Sequence, residues 1–316
     1  MNGAKVFADT KNMSREKWLE LRRDGVGGSD ASAIMGLNPY SSPLKVYLDK
    51  IGKLEEQPDS EAMKQGRDLE QYVAERFTEE TGKKVKRCNK ILQHPDYPFM
   101  LANVDRLIVG EDAGLECKTT SPYSKFKFSE GEINPHYYWQ SMHYMAVTGL
   151  PKWYVAVLIL GKDFQVFCID RKEDEIAALI DAEQYFWENH VGTRTPPLPI
   201  GNESDDEAIS VLYPEGDDAE EVMELDMDDE LNLRALKVKQ RDELDAEIKE
   251  IDQRCKLALG DFQRGISAGW KVNWTNTSTS RVDTKLLKEK YPQIAEEVTK
   301  VTAGRRFSVT AVKEAK

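Results

Sequence analysis

The chain is 316 residues long, 40% hydrophobic and 32% charged, with a formal net charge of −12. No run approaches the roughly 18 apolar residues of a membrane-spanning helix, and no signal-type hydrophobic region opens the chain, so a soluble, cytoplasmic protein with no membrane partner is expected. The four cysteines, at 88, 117, 168 and 255, lack metal-type spacing and secreted-scaffold density, which leaves reduced thiols and excludes a cysteine-held cluster.

The acidic balance is unevenly spread. Residues 201 to 230 hold fourteen Asp and Glu and no Lys or Arg, so the other 286 residues carry 44 basic against 42 acidic side chains, a balance of +2. Basic clusters then stand out at Lys83, Lys84, Lys86, Arg87 and Lys90, and at Lys125 and Lys127 among Tyr123, Phe126 and Phe128. Such clusters suit phosphate contacts, although charge runs are also ordinary solvated faces.

In chain order, hydrophobic periodicity predicts helices near 14–23, 29–36, 43–51, 60–82, 135–148 and 172–190, and strands near 84–93, 100–109, 113–119, 152–160 and 164–170. Helices and strands thus alternate around a mixed sheet. Gly27-Gly28-Ser29-Asp30 reads as a helix N-terminus with a capping hydroxyl that offers backbone N–H groups to an anion, a few residues after Arg22. In the 60–82 helix, Leu69, Val73, Ala74 and Phe77 form the apolar stripe, with the carboxylate of Glu70 near that face. Trp153 to Leu160 and Phe164 to Ile169, joined by Gly161-Lys162-Asp163, read as a core hairpin.

Asn103 to Val109, the turn Gly110-Glu111-Asp112-Ala113-Gly114, and Leu115 to Thr119 read as a second hairpin. The period of two puts Glu116 and Lys118 on one face and Cys117 on the other. Asp105 and Glu116 converging on one face would form an oxygen site for a hard cation such as Mg²⁺, and a lysine beside them can orient a water, which suits phosphodiester hydrolysis. The same residues would equally make a solvated face with a cross-strand ion pair.

Five segments in one order tip that balance: Leu21-Arg22-Arg23 with Gly27-Gly28-Ser29-Asp30-Ala31, Gly66-Arg67-Asp68-Leu69-Glu70, Asn103-Val104-Asp105, Leu115-Glu116-Cys117-Lys118, and Tyr138-Trp139-Gln140-Ser141-Met142. Over residues 14 to 195 the chain resembles YqaJ-type viral recombinases, the phage alkaline exonucleases of lambda type within the PD-(D/E)xK nuclease superfamily. The resemblance implies an α/β (α+β) restriction-endonuclease-like core, a mixed β-sheet flanked by helices. It implies Asp105, Glu116 and the Cys117 carbonyl as metal ligands, Glu70 as a helix-borne acid reaching the same ions directly or through water, and Lys118 as the lysine that activates the water. It also implies Arg22 and Ser29, helped by Asn103, as the grip on a terminal 5′-phosphate, and Gln140 as the first residue of a Gln-x-Gln pattern. The second Gln is Met142 here, a departure from the pattern. Lys125 and Lys127 would add DNA-backbone contacts.

By the same resemblance the protein would be a 5′-to-3′ double-strand DNA exonuclease using Mg²⁺, or Mn²⁺ in its place, as two ions. It would act on 5′-phosphorylated ends, leave 3′ single strands for recombination, work with a single-strand annealing protein, and form a homo-oligomeric ring, trimeric by resemblance. The alternatives are an endonuclease or single-strand-preferring relative, and a non-catalytic DNA-end or partner-binding protein. Among the histidines only His143 falls near this site, where a packed role is the plainer reading.

The domain organisation expected is a nuclease domain over 1–200, ended by Thr195-Pro196-Pro197-Leu198-Pro199, an acidic linker over 201–230, and a C-terminal helical and β accessory region over 231–316. In the last, Leu236, Leu244, Ile248, Ile251 and Cys255 mark a long amphipathic helix. Strands are expected around Gly269–Trp274 and Gly304–Val309. This region reads as an interface, a packed subdomain, or a DNA-binding appendage carrying Trp270, Trp274, Arg281, Arg305 and Arg306.

Overall fold

The computed structural model describes residues 3–55, 60–124, 132–216, 222–301 and 304–312. The chain divides into two compact units, Met1–Pro214 and Glu215–Lys316.

The first unit begins with strand β1 (Lys5–Asp9), helix α1 (Arg15–Arg22), the short strand β2 (Val26–Gly27), and helices α2 (Gly28–Ile34), α3 (Pro43–Lys50) and α4 (Glu61–Thr81). Strands β3 (Val85–Arg87), β4 (Lys90–Gln93), β5 (Met100–Asn103), β6 (Arg106–Ile108) and β7 (Ala113–Thr120) come next. Helix α5 (Pro135–Thr148), strands β8 (Lys152–Ile159) and β9 (Asp163–Asp170), helix α6 (Glu173–Phe186) with a π-helical end over Trp187–Val191, and helix α7 (Glu203–Leu212) complete it. The helix ends carry their signals: Ser14 and Ser60 hydroxyls accept the N–H groups of Lys17 and Met63, while Gly82 and Gly149 take positive φ at the ends of α4 and α5.

The strands form two sheets, ordered β1-β4-β5-β2 and β3-β6-β7-β8-β9. β7 and β8 run parallel, so α5 serves as the crossover between them. Alternation along β8 sends Trp153, Val155 and Val157 into the core beneath Met142 and Met145 of α5, and Tyr154 and Ala156 towards Val73 and Phe77 of α4. On β7, Ala113 and Leu115 join the α4 side, which turns Gly114, Glu116 and Lys118 towards α5. Gly114 is required there: a Cβ would sit 2.3 Å from the Trp153 ring.

Two expected strands prove to be breaks between sheets. The 84–93 segment splits at Asn89, whose φ of 48° ends extended pairing, so that β3 joins the five-stranded sheet and β4 the four-stranded one. The 100–109 segment splits at Val104-Asp105, with β5 and β6 again in different sheets. Strands β1 and β2 have no counterpart among the expected elements. The two expected hairpins form in register, Arg106 opposite Leu115 and Lys152 opposite Asp170.

Part of the acidic stretch belongs to the first unit. Asp205 accepts the N–H groups of Ile200 (2.7 Å) and Gly201 (2.9 Å), Lys45 pairs with Glu207 at 2.7 Å, and Ala208 enters the core, so α7 is packed where a linker was expected to start.

The second unit holds helix α8 (Asp228–Leu259), the hairpin β10 (Arg264–Ser267) and β11 (Trp270–Asn273), and helices α9 (Thr284–Lys290) and α10 (Pro292–Glu297). Gly304–Val309 forms no strand. Leu236, Leu244, Ile248 and Ile251 of α8 are more than half exposed, and Trp270 and Trp274 are exposed. No helix among the described residues is long and apolar enough to cross a membrane.

Candidate active site

Asp105 lies where the chain passes from one sheet to the other. Backbone pairing with β7 lapses there, and the Asp105 side chain takes its place, its Oδ2 accepting the Cys117 N–H at 3.0 Å. Across from it, Glu116 is buried, and its Oε1 receives both the Lys118 ammonium (2.7 Å) and the Gln140 amide (2.7 Å). Gln140 also donates to the Tyr144 hydroxyl at 2.8 Å, and Lys118 lies 5.4 Å from the centre of the Tyr137 ring. Neither tyrosine figured among the expected site residues; their i−3 and i+4 offsets from Gln140 on α5 were the available signal.

Burial, together with the nearby Glu116 and Glu70, holds the Asp105 carboxyl well above the ordinary carboxylate range. Burial works to lower Lys118, but Glu116 and Asp105 outweigh it and keep the ammonium above its usual value. The Cys117 thiol is pushed far up, by burial first and then by Asp105 and Glu116, so it stays protonated.

Glu70 reaches the same groove from α4, but with a cation of its own. Buried Arg106 donates to Glu70 Oε1 at 2.5 Å and to the Asp105 carbonyl at 2.8 Å. A charged residue inside the apolar run Val104–Val109 was the trace of this partner in the sequence.

Beside the carboxylates is a second group of residues. Arg22 Nη2 donates to Ser29 Oγ (2.9 Å) and to Asp30 Oδ1 (3.0 Å), and its guanidinium stands 5.6 Å from the Trp18 ring. The helix end differs from expectation: α2 starts at Gly28, and the Asp30 carboxylate, not a hydroxyl, accepts the Gly27 N–H at 2.9 Å. That donor is therefore used within the protein. Arg22, Ser29, Asn103, Asp105, Glu116 and Gln140 line one pocket of about 200 Å³. This opens to a wider groove of about 810 Å³ that adds Glu70, Cys117 and Lys118.

Met142 is fully buried in the core. Residues two apart on a helix point about 200° apart, so when Gln140 faces Glu116 the next-but-one position faces away from it. His143 is also fully buried, between Glu183 (2.8 Å) and the Leu101 carbonyl (2.9 Å), and belongs to the packing. Lys83 is held by Glu111 at 2.5 Å. Lys125 and Lys127 lie outside the described residues.

The residues suit a divalent cation. Glu116 Oε2 and Gln140 Oε1 are buried with no hydrogen-bond partner among the described residues, and the Asp105 carboxyl beside them is held up by burial and by the neighbouring Glu116 and Glu70. Oxygen donors grouped in this way are what a hard cation binds. Among the described residues no three His, Cys, Asp or Glu side chains form a ready cage, so two carboxylates would be completed by backbone oxygen and water.

In class, this is a mixed α/β protein whose sheets meet at an acidic, lysine-bearing cleft with an arginine pocket at its side. Residues 17–151 match the YqaJ-like viral recombinase domain. The chain is 39% identical over 313 residues to the uncharacterized protein YqaJ of Bacillus subtilis strain 168, covering 98% of each, and it belongs to the YqaJ family. Solved structures similar to it include the alkaline exonuclease of Laribacter hongkongensis (19% identity, 63% of this chain and 100% of that chain, TM-score 0.46). Another is a phage-related exonuclease from Haemophilus somnus 129PT (13% identity, 56% and 99%, TM-score 0.42).

Proposed function

We propose that the protein is a metal-dependent exonuclease that hydrolyses the 5′-terminated strand of duplex DNA from a phosphorylated end and leaves a 3′ single strand for recombination. The observation that carries this reading is that Arg22 and Ser29 share one small pocket with Asp105 and Glu116. A charged fork that grips a terminal phosphate beside a carboxylate pair makes cleavage start at an end.

Asp105 and Glu116 would hold Mg²⁺ or Mn²⁺, as one ion or two, with the Cys117 carbonyl and, through water, Glu70. Such ions supply charge to polarise the phosphoryl group and to acidify a bound water. Lys118 orients that water and offsets charge at the scissile oxygens. Gln140 fixes the Glu116 carboxylate by binding one of its oxygens, and the other would be available to a cation. Arg22 and Ser29, with Asn103, place the terminal phosphate. Assembly into a homo-oligomeric ring and hand-over of the 3′ strand to a single-strand annealing protein complete the reading.

The test is digestion of 5′-phosphorylated linear duplex beside covalently closed circles, with Mg²⁺. Loss of the linear DNA alone is expected. Equal cutting of both would identify an endonuclease, and end binding without cleavage would identify a non-catalytic DNA-end protein.

A further inference from the structure

Beneath the arginine pocket lies a charge cluster that the proposed chemistry does not use. The Lys50 side chain is fully buried, with its ammonium 2.7 Å from Asp30 Oδ2 and donating to the Arg22 carbonyl at 3.1 Å. Asp30 is buried too, and its other oxygen accepts from Arg22. Burial works to raise the Asp30 carboxyl, but Lys50 and then Arg22 outweigh it and hold that carboxyl well below the usual range. Asp49 lies 3.6 Å from Lys50, but it is one-third exposed and faces Arg23 at 3.9 Å. The core of the cluster is thus two cations around one carboxylate.

We infer that Lys50 is a positioning residue for the arginine pocket: by neutralising Asp30 it leaves the Arg22 guanidinium with a net positive charge to offer a terminal phosphate. This rests on the phosphate-gripping role proposed for Arg22. Without Lys50, a buried carboxylate 3.0 Å from Arg22 would have that guanidinium as its one cation, beside the Gly27 N–H. The two would close into a neutral pair, and an incoming phosphate would have to compete with Asp30 for the same charge. With Lys50 present, Asp30 still orients Arg22 by one hydrogen bond but no longer cancels it. Among the described residues only Nη2 of Arg22 is hydrogen-bonded, the side chain is 34% exposed, and Arg22 lines the pocket. The bond from Lys50 to the Arg22 carbonyl fixes the end of α1, on which the guanidinium is mounted.

The experiment measures binding of 5′-phosphorylated and 5′-hydroxyl duplexes to the full-length protein by fluorescence anisotropy in EDTA, where nothing is cut. The parent is expected to prefer the phosphorylated end. Lys50→Met should weaken binding of that end about tenfold, the loss of one charge-assisted contact, and leave the hydroxyl end unchanged. Asp30→Asn combined with Lys50→Met removes both charges, and it should recover the preference because Arg22 is again uncompensated. A Lys50→Met protein that keeps the preference, or loses affinity for both ends alike, overturns the inference. If Lys50→Met does not fold, the double variant decides: a folded double variant without the preference overturns it. Arg22→Gln separates the two layers, since a preference that survives it means that the phosphate role of Arg22 was itself wrong.

Discussion

Gln140 donates its amide to Oε1 of Glu116, the oxygen that Lys118 also holds, while Glu116 Oε2 is buried with no donor among the described residues. In the proposed reading, a helix residue thus decides which oxygen of a strand carboxylate would remain for a cation. Gln140→Leu is expected to weaken Mn²⁺ or Mg²⁺ binding about 10- to 100-fold by calorimetry, as loss of an outer-shell partner does. A variant that binds the ion like the parent would remove Gln140 from the site.

Glu116→Gln should abolish stabilisation by metal altogether. A ligand that binds only the folded state raises its melting temperature with concentration. The parent is expected to melt higher in millimolar Mg²⁺ or Mn²⁺ than in EDTA, and Glu116→Gln at one temperature in both. An equal metal-induced rise in the variant would place the cation elsewhere.

Lys118→Ala and Asp105→Ala are each expected to cut digestion of 5′-phosphorylated linear duplex by about 10²- to 10⁴-fold while the far-ultraviolet circular dichroism is retained. Rates near the parent's would show that the chemistry is done by other groups.

Gly114→Ala tests how tightly the site is built onto its support. The added methyl would meet the fully buried Trp153 ring, which packs against Tyr144 at 5.1 Å between ring centres, and Tyr144 in turn accepts from Gln140. Overpacking of this kind costs about 1–3 kcal/mol, read from urea unfolding. A smaller indole substitute, Trp153→Leu, should recover part of that loss in the double variant.

Strong periodicity made much of this legible in the sequence. The 152–170 hairpin and α5 form as expected because long apolar runs ended in Gly161, Asn134 and Gly149 leave little choice. The Glu116 and Lys118 face follows from the two-residue period alone. The breaks at Asn89 and Val104-Asp105 were hidden because tertiary pairing, not local propensity, sends each half to a different sheet. The same holds for α7, whose acidic composition resembles a linker until Asp205 and Glu207 find the Ile200 and Gly201 amides and Lys45. Arg106 and the Asp30–Lys50 pair were missed for a related reason: nothing in spacing tells which surface charges become buried partners.

Stability should fall on mild acidification through His136. Its Nδ1 accepts from Asn38 (3.2 Å) and lies 2.5 Å from the Ser32 hydroxyl, and burial, helped by the Lys118 charge, lowers its pKa to about 4. An unfolded histidine titrates near 6.5, so between those values the unfolded chain binds the extra proton. The contribution is therefore full above about pH 6.5 and declines as pH falls towards 4. Asp30 acts lower: its depressed carboxyl stabilises the fold above about pH 3.9 and loses that effect as pH drops through its folded value. Urea unfolding at pH 7 and 4.5 should show a smaller loss for His136→Gln than for the parent; equal losses would contradict the assignment.

The passage of the chain between sheets at Val104 and Asp105 makes a ruler of the backbone. Asn103, at the arginine pocket, still belongs to one sheet, and Asp105 stands two residues on, against the other. Two residues span at most about 7 Å of extended chain, so in the proposed reading the distance from Asn103 at the phosphate grip to Asp105 is bounded by the backbone itself. A single residue inserted between Asn103 and Asp105 would lengthen that ruler by one division. If the proposed exonuclease reading holds, that variant would be expected to hold its end normally yet cut out of step.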